Sequence, residues 1–201
     1  MHAVILDIDG TLLQSNEADD ALYVAAVRSV LGPVRIRTPW DMYAQVTDSS
    51  ILEDICADNA LELSRGVRDQ IRKCFVDSLA RQIDTFGPFL EVPGARDFVF
   101  SLLKSGQHSV AYATGGWGLS AQLKLKSAGF PLDIPLASAD DFPNRKSIMK
   151  HALAQMGQAF QSITYYGDGP WDRDATLSLG WRFVAVGTTL AGLSKYESVD
   201  V

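Results

Sequence analysis

The sequence predicts an α/β fold in which helices cover both faces of a parallel β-sheet and a helical unit is inserted after the first strand. Short apolar runs end in glycine or polar residues, which is typical of the buried strands of parallel sheets. Segments with helical periodicity alternate with those runs, as units of strand, helix and strand require. Residues 16–88 are the exception, because they contain helical patterns and no convincing strand.

The first predicted strand, 4–6, leads directly into the sequence Asp7-Ile8-Asp9-Gly10-Thr11. Later runs of the same form are 108–113, 162–166 and 182–186, and 134–137 is a weaker candidate. Functional residues of parallel sheets lie beyond the carboxyl ends of the strands. We therefore expect the functional site among the polar residues that follow these runs.

Helical patterns cover 95–104, 119–128, 147–156 and 172–179 between the later strands. In the inserted stretch they cover 17–31, 50–58 and 67–83, with a weaker pattern at 39–46. We interpret 1–15 and 89–201 as an α/β core domain and 16–88 as a helical cap domain. The alternative is that the helices of 16–88 are crossover helices that pack on the sheet. We expect a cap to move relative to the core, because a buried reaction site must open to its substrate.

Composition excludes several classes of protein. The 201 residues are 47% hydrophobic and 21% charged, which argues against disorder. No apolar run approaches the ~18 residues of a membrane-spanning helix, and the first residues lack the basic region of a signal peptide. The net charge of −6 disfavours nucleic acid and anionic membranes as partners. Cys56 and Cys74 are too few for a disulfide framework, so we expect free thiols in a cytoplasmic protein.

Four aspartates follow two of the predicted strands. Asp7 and Asp9 come after the first strand, and Asp168 and Asp172 come after 162–166. Carboxylates that converge on one point repel each other, and a divalent cation is the simplest compensation. An oxygen-rich set of this kind suits Mg²⁺. The alternative for a single acid, above all for Asp172, is a cap at the start of a helix.

These residues resemble the sequence motifs of the haloacid dehalogenase-like (HAD) hydrolase superfamily. The run Asp7-Ile8-Asp9-Gly10-Thr11-Leu12 is similar to its first motif, and Gly167-Asp168-Gly169-Pro170-Trp171-Asp172 is similar to its fourth. Thr114 resembles the second motif and Lys146 the third, and all four motifs occur in order over nearly the whole chain. The third motif departs from the common Lys-Pro pattern, which leaves Arg145 as an alternative to Lys146.

The resemblance implies a Rossmann-like core, a C1-type helical cap and a role for each motif. Asp7 would be the nucleophile that forms an aspartyl-phosphate, and Asp9 would be the general acid and base. Thr114 and the Gly115 amide would bind phosphate oxygens, and Lys146 would offset the negative charge of the phosphoryl group. Four residues would hold Mg²⁺: Asp7, Asp9 through its main-chain carbonyl, Asp168 and Asp172.

In having an acid at position 9, this sequence resembles the members of the superfamily that act on phosphate esters. The resemblance therefore implies a Mg²⁺-dependent phosphatase similar to phosphoglycolate phosphatases, with a small phosphorylated metabolite as its substrate. A phosphomutase similar to β-phosphoglucomutase uses the same residues and stays an alternative. The identity of the ester is open, and a homodimer is a candidate assembly.

A dinucleotide-binding protein is an alternative from a different class. Residues 116–121 match the pattern GxGxxA, and Asp140 lies about twenty residues further on, as in a dinucleotide-binding unit. Gly116 and Gly118 would then approach a pyrophosphate. This interpretation leaves the four acids without a role. A non-catalytic binding module with the same fold is disfavoured for the same reason.

Overall fold

The computed structural model describes residues 1–197 and contains a five-stranded sheet in which every neighbouring pair of strands is parallel. Its strands are β1 (His2–Leu6), β2 (His108–Ala113), β3 (Leu136–Ala137), β4 (Ser162–Gly167) and β5 (Arg182–Ala185). The order across the sheet is β3-β2-β1-β4-β5, so β1 is central, between β2 and β4. The predicted α/β fold is confirmed, and residues 198–201 of the predicted core domain lie outside the described residues.

Seven α-helices occur in the described residues: α1 (Asn16–Leu31), α2 (Asp48–Asp58), α3 (Arg65–Phe86), α4 (Ala95–Lys104), α5 (Gly118–Ser127), α6 (Arg145–Gln155) and α7 (Pro170–Ser178). The predicted helix 39–46 is reduced to a single 3-10 turn at Trp40–Met42. The turn ends because the backbone at Tyr43 is extended and its ring is buried among the inserted helices. None of the helices in residues 1–197 combines the length and the apolar character that crossing a membrane requires.

Side chains of β1 alternate between two apolar layers, one on each face of the sheet. Val4 and Leu6 pack with residues of α4 and α5, including Phe98 and Leu125. Ile5 packs in the other layer with residues of α6 and α7. Each fully buried aliphatic side chain stabilises the fold by about 1.5–3 kcal/mol relative to an exposed one. This two-sided burial holds β1 firmly and fixes the position of the acidic segment that follows it.

The helices of residues 16–88 have an apolar core of their own. Tyr23 of α1, Ile55 of α2 and Phe75 of α3 belong to one buried cluster, to which the rest of the chain contributes Trp117 and Ala139. Crossover helices would instead pack on the sheet, so this cluster favours the cap interpretation. The domain boundaries at residues 16 and 88 stay a prediction. Cys56 and Cys74 both lie in this unit, and both thiols are free, as predicted.

Candidate active site

Two adjacent parallel strands bring together three of the four aspartates that the sequence predicts at the site. Asp7 follows β1 and Asp168 follows β4, and the ends of these strands are paired in register. Asp172 lies in the first turn of α7, which begins just beyond Asp168. One carboxylate oxygen from each of the three residues lies within 4.8 Å of the other two, and all three residues are buried. The sequence-based expectation that these acids converge agrees with this geometry.

Two glycines allow the carboxylates to approach so closely. Gly10 has a φ of +70°, and a Cβ atom there would lie 2.1 Å from Oδ2 of Asp168. A Cβ atom on Gly167 would lie 2.7 Å from Oδ2 of Asp172. Both distances are far below van der Waals contact, so a side chain at either position would displace a carboxylate.

Asp172 also has a structural role, although it is not the residue that caps α7. Gly169 is the N-cap residue, and its N–H donates to Oδ2 of Asp172 at 3.2 Å. The Tyr165 hydroxyl donates to Oδ1 of the same carboxylate at 3.3 Å. These contacts hold Asp172 at the site through the first turn of the helix.

Arg145 is the cation that lies among the acids. Its Nη1 donates to Oδ1 of Asp7 at 3.1 Å, and its Nε lies 3.2 Å from Oδ1 of Asp172. Arg145 is the first residue of α6 and is buried, while Asn144 caps this helix by accepting from the N–H of Ser147.

The structure places Lys146 outside this group of side chains. It is exposed and lines a neighbouring surface groove with Asp174. Successive residues of an α-helix point about 100° apart, so Arg145 and Lys146 cannot both face the acids. The prediction that Lys146 offsets the charge of Asp7 is therefore corrected, because Arg145 is the cation that contacts Asp7.

Burial and mutual repulsion raise the pKa values of the acids. Burial raises the pKa of Asp7 well above its usual range, Asp172 and Asp168 raise it further, and Arg145 opposes the shift. Burial and Asp172 raise the pKa of Asp168 to about 7. Three carboxylates around one guanidinium leave an excess of negative charge when all are ionised. Oxygen ligands with this excess fit a hard divalent cation such as Mg²⁺.

Thr114 and Gly115 follow β2 and face the same cavity as the acids. The cavity has a volume of about 140 Å³, and residues of the inserted segment 16–88, such as Trp40 and Asp48, also line it. The Thr114 hydroxyl accepts from the N–H of Gly116 at 3.0 Å. A Cβ atom on Gly115 would lie 2.8 Å from the main-chain oxygen of Val46 and 2.9 Å from Nη2 of Arg145, so glycine is required for this close packing.

Asp9 lines the cavity but is held apart from the three clustered acids by other side chains. Its Oδ1 accepts from the Ser15 hydroxyl at 2.5 Å. The Lys124 ammonium donates to both oxygens of Asp9, at 2.6 and 2.7 Å. None of the sequence motifs includes Lys124. Its only sequence signal is a lysine on the side of α5 that carries Ala121 and Leu125 into the core.

The glycine-rich loop before α5 does not offer free amides to a dinucleotide. The Trp117 N–H donates to Oδ2 of Asp48 at 2.9 Å, and the Gly118 N–H donates to Oδ2 of Asp140 at 3.0 Å. Carboxylates of the chain thus occupy positions that a pyrophosphate would need, and their charge would repel it. This geometry removes the support for a dinucleotide site at Gly116 and Gly118.

The amino end of α2 is joined to the core beside the cavity. The hydroxyls of Thr47 and Ser50 both donate to the carbonyl of Pro143 at 2.8 Å. The N–H of Asp48 donates to the carbonyl of Gly115, also at 2.8 Å. Residues 16–88 are therefore joined to the rest of the chain by hydrogen bonds at the rim of the site as well as by the two chain connections.

Solved structures with the same fold cover nearly all of this chain. CbbY from Rhodobacter sphaeroides in complex with phosphate has 16% identity and a TM-score of 0.72, with 98% of this chain and 89% of that chain covered. β-Phosphoglucomutase from Clostridium difficile has 17% identity and a TM-score of 0.69, with coverages of 92% and 84%. A Lactobacillus plantarum protein assigned as a phosphoglycolate phosphatase has 20% identity and a TM-score of 0.60, with coverages of 92% and 85%. At these identities the likeness concerns the fold.

A search among curated proteins finds no match to this sequence. The family model described as haloacid dehalogenase-like hydrolase matches residues 1–180, which include β1 to β4 and all of the cavity described above. This match agrees with the resemblance carried by the four motifs. The chain therefore belongs to the haloacid dehalogenase-like hydrolase family.

Proposed function

We propose that this hydrolase is a Mg²⁺-dependent phosphatase that cleaves a small phosphomonoester through an aspartyl-phosphate on Asp7. One observation carries the proposal: the Asp7 carboxylate is buried next to Arg145 and two further acids, and it opens into a small cavity. A carboxylate held in this way can attack phosphorus if its own charge and that of the phosphate are compensated.

The cavity has donors suited to a phosphoryl group. The Thr114 hydroxyl and the Gly115 main chain face it beside Asp7. Arg145 and Trp171 also line the cavity, and the indole Nε1 of Trp171 is buried with no hydrogen-bond acceptor among the described residues. A bound phosphate would be attracted by the charge of the Arg145 guanidinium, and one of its oxygens would supply an acceptor for Trp171. Stabilisation of the transferring group would then come mainly from position and electrostatics.

The residues that would hold Mg²⁺ are Asp7, Asp168 and Asp172, with the main-chain carbonyl of Asp9. When bound, the cation would neutralise the clustered carboxylates and the phosphate charge. Without the cation, burial and repulsion between the carboxylates raise the pKa values of Asp7 and Asp168.

Asp9 would protonate the leaving oxygen and then take a proton from the water that hydrolyses the aspartyl-phosphate. It lines the cavity near Asp7 and its side chain is 19% exposed, so its carboxylate can reach a bound ester. The substrate of this proposal is a phosphorylated metabolite, and the free thiols of Cys56 and Cys74 support a cytoplasmic location as part of the proposal. The names of two structural neighbours, a phosphate complex of CbbY and a protein assigned as a phosphoglycolate phosphatase, are consistent with this class of substrate.

A phosphomutase is the second candidate, favoured by the structural likeness to β-phosphoglucomutase. The same Asp7 and Asp9 would serve it, because a mutase returns the phosphoryl group to a second hydroxyl instead of to water. The two candidates differ in product. A phosphatase releases inorganic phosphate, and a mutase converts one sugar phosphate into its isomer.

The decisive experiment is a panel of small phosphate esters assayed with Mg²⁺ and with EDTA. We expect phosphate release that depends on Mg²⁺, and a phosphoenzyme that forms in the wild type and is missing in Asp7→Asn. Sugar phosphates in the panel are also analysed by ³¹P NMR, which reveals an isomer if the protein is a mutase. Absence of turnover and of isomerisation over the whole panel would contradict both candidates.

A further inference from the structure

Lys124 is a buried charge that the proposed chemistry leaves without a role. Its side chain is 0% exposed, and it does not line the cavity. Besides both oxygens of Asp9, its ammonium contacts Oδ1 of Asp19 at 2.7 Å. Burial of an ammonium is costly unless it is paired and hydrogen-bonded, and here all three of its N–H donors have carboxylate acceptors within reach.

The three partners come from three different parts of the fold. Lys124 lies on the core helix α5, Asp9 on the segment after β1, and Asp19 near the start of the first cap helix, α1. The ammonium therefore connects Asp9, the proposed acid–base residue, to helix α5 and to helix α1. The carboxylates of Asp19 and Asp9 raise the pKa of Lys124, against the effect of burial, so it stays a cation.

We propose that Lys124 is a positioning residue for Asp9: its ammonium fixes the rotation of the Asp9 carboxylate relative to the cavity. Because Lys124 is fully buried and outside the cavity, it acts through Asp9 and does not touch the substrate. This inference rests on the phosphatase function proposed above.

The hydrogen bonds also distinguish the two oxygens of Asp9. Oδ1 accepts from both Ser15 and Lys124, which satisfies its two lone pairs. Oδ2 accepts from Lys124 alone among the described residues and keeps one lone pair. Oδ2 is therefore the oxygen that exchanges a proton with the leaving group and with water.

The test compares Lys124→Met with Lys126→Met, an exposed lysine on the same helix that serves as the matched control. Single-turnover rates are measured on an alkyl phosphate and on p-nitrophenyl phosphate, whose leaving group needs no proton. General acid–base assistance is typically worth ~10²–10⁴-fold. We expect Lys124→Met to slow the alkyl phosphate by at least ~10²-fold and p-nitrophenyl phosphate by less than ~10-fold, because disordering Asp9 removes that assistance.

A second comparison separates positioning from a general structural effect. In an Asp9→Asn background, Lys124→Met should add less than about threefold, since its effect passes through the carboxylate that is already absent. If Lys124→Met fails to fold, the double variant Lys124→Met/Asp19→Asn replaces it, because it removes one buried charge of each sign.

Three results would overturn the inference. Equal slowing of both substrates by Lys124→Met would identify a general effect on the fold. If the losses from Lys124→Met and Asp9→Asn multiply in the double variant, Lys124 acts by another route. If steady-state kinetics of Lys124→Met show a raised KM and an unchanged kcat, Lys124 contacts the substrate. These results leave the phosphatase proposal intact, whereas a wild type that hydrolyses neither ester contradicts the phosphatase proposal and this inference together.

Discussion

Asp7 and Arg145 form a buried ion pair, with Oδ1 and Nη1 3.1 Å apart across 138 positions of the sequence. The pair joins the end of the central strand to the start of α6 on one face of the sheet. It places the proposed nucleophile next to the one buried cation that contacts it in residues 1–197. The charge of Asp7 is therefore partly compensated before any ligand arrives.

The first prediction concerns which of two adjacent cations serves the reaction. Arg145→Met should lower kcat/KM by about 10²–10³-fold, the usual effect of removing one preorganised donor from a developing charge. Lys146→Met should stay within about threefold of the wild type, because Lys146 is exposed and points away. Steady-state kinetics on the best ester of the panel measures both. A larger loss in Lys146→Met than in Arg145→Met would reverse the assignment.

The second prediction concerns pH and the metal. Burial raises the pKa of Asp168 from its usual value of 3.8 to about 7, so between these values the folded protein keeps a proton that the unfolded chain has released. The free energy of unfolding of metal-free protein should therefore fall as pH rises through this window. Mg²⁺ binds the ionised form, so its stabilising effect should be larger at pH 8 than at pH 5.

Melting temperatures at pH 5 and pH 8, with EDTA and with Mg²⁺, check this expectation. Asp168→Asn is the control, since it removes one of the groups whose pKa is raised and should reduce the difference in melting temperature between the two pH values. A metal-free wild type that loses no more stability than Asp168→Asn between pH 5 and pH 8 would argue against the raised pKa.

The third prediction separates the two acids of the first motif. Asp7→Asn should abolish the phosphoenzyme and turnover, because the amide is not a nucleophile. Asp9→Asn keeps the nucleophile, so it should still form a phosphoenzyme from p-nitrophenyl phosphate while losing ~10²–10⁴-fold on an alkyl phosphate. Rapid-quench trapping of labelled phosphoenzyme measures both steps. A phosphoenzyme in Asp7→Asn would place the nucleophile elsewhere.

The fourth prediction uses two glycines with the same φ angle. Gly10 and Gly157 both have a φ of +70°, but a Cβ atom on Gly10 would collide with Asp168, whereas a Cβ atom on Gly157 would have no atom of a residue beyond its chain neighbours within 4 Å among the described residues. Alanine at either position should cost about 1–2 kcal/mol of stability from the left-handed conformation. Gly10→Ala should in addition weaken Mg²⁺ binding, measured by isothermal titration calorimetry. Equal Mg²⁺ affinity in the two variants would indicate that the Asp168 carboxylate is not displaced.

The strands and the acids could be predicted from the sequence because both are local signals. A strand that is buried on both faces is a continuous apolar run, and the acids of the first and fourth motifs follow such runs directly. Residues such as Val4 and Leu6 therefore locate Asp7 without any knowledge of the tertiary structure.

The cations could not be predicted in the same way. Whether Arg145 or Lys146 faces the acids depends on the residue at which α6 begins, and Asn144 sets that start through its side-chain hydrogen bond. Lys124 reaches partners 115 and 105 positions away. A lysine in a short helix is typical of a solvent-exposed face, and only the packing of three elements buries this one.

The hydroxyls of Thr47 and Ser50, which donate to the Pro143 carbonyl at the start of α2, have a consequence for the timing of catalysis. Pro143 lies two residues before Arg145, so Thr47 and Ser50 hold the segment that carries the cation to Asp7. If residues 16–88 form the mobile cap that the sequence predicts, a movement away from Pro143 would loosen Arg145 as well. Opening would then admit the ester and weaken the electrostatic support of the proposed nucleophile in the same movement. Full reactivity would require closure, which would limit reaction with water in the open state.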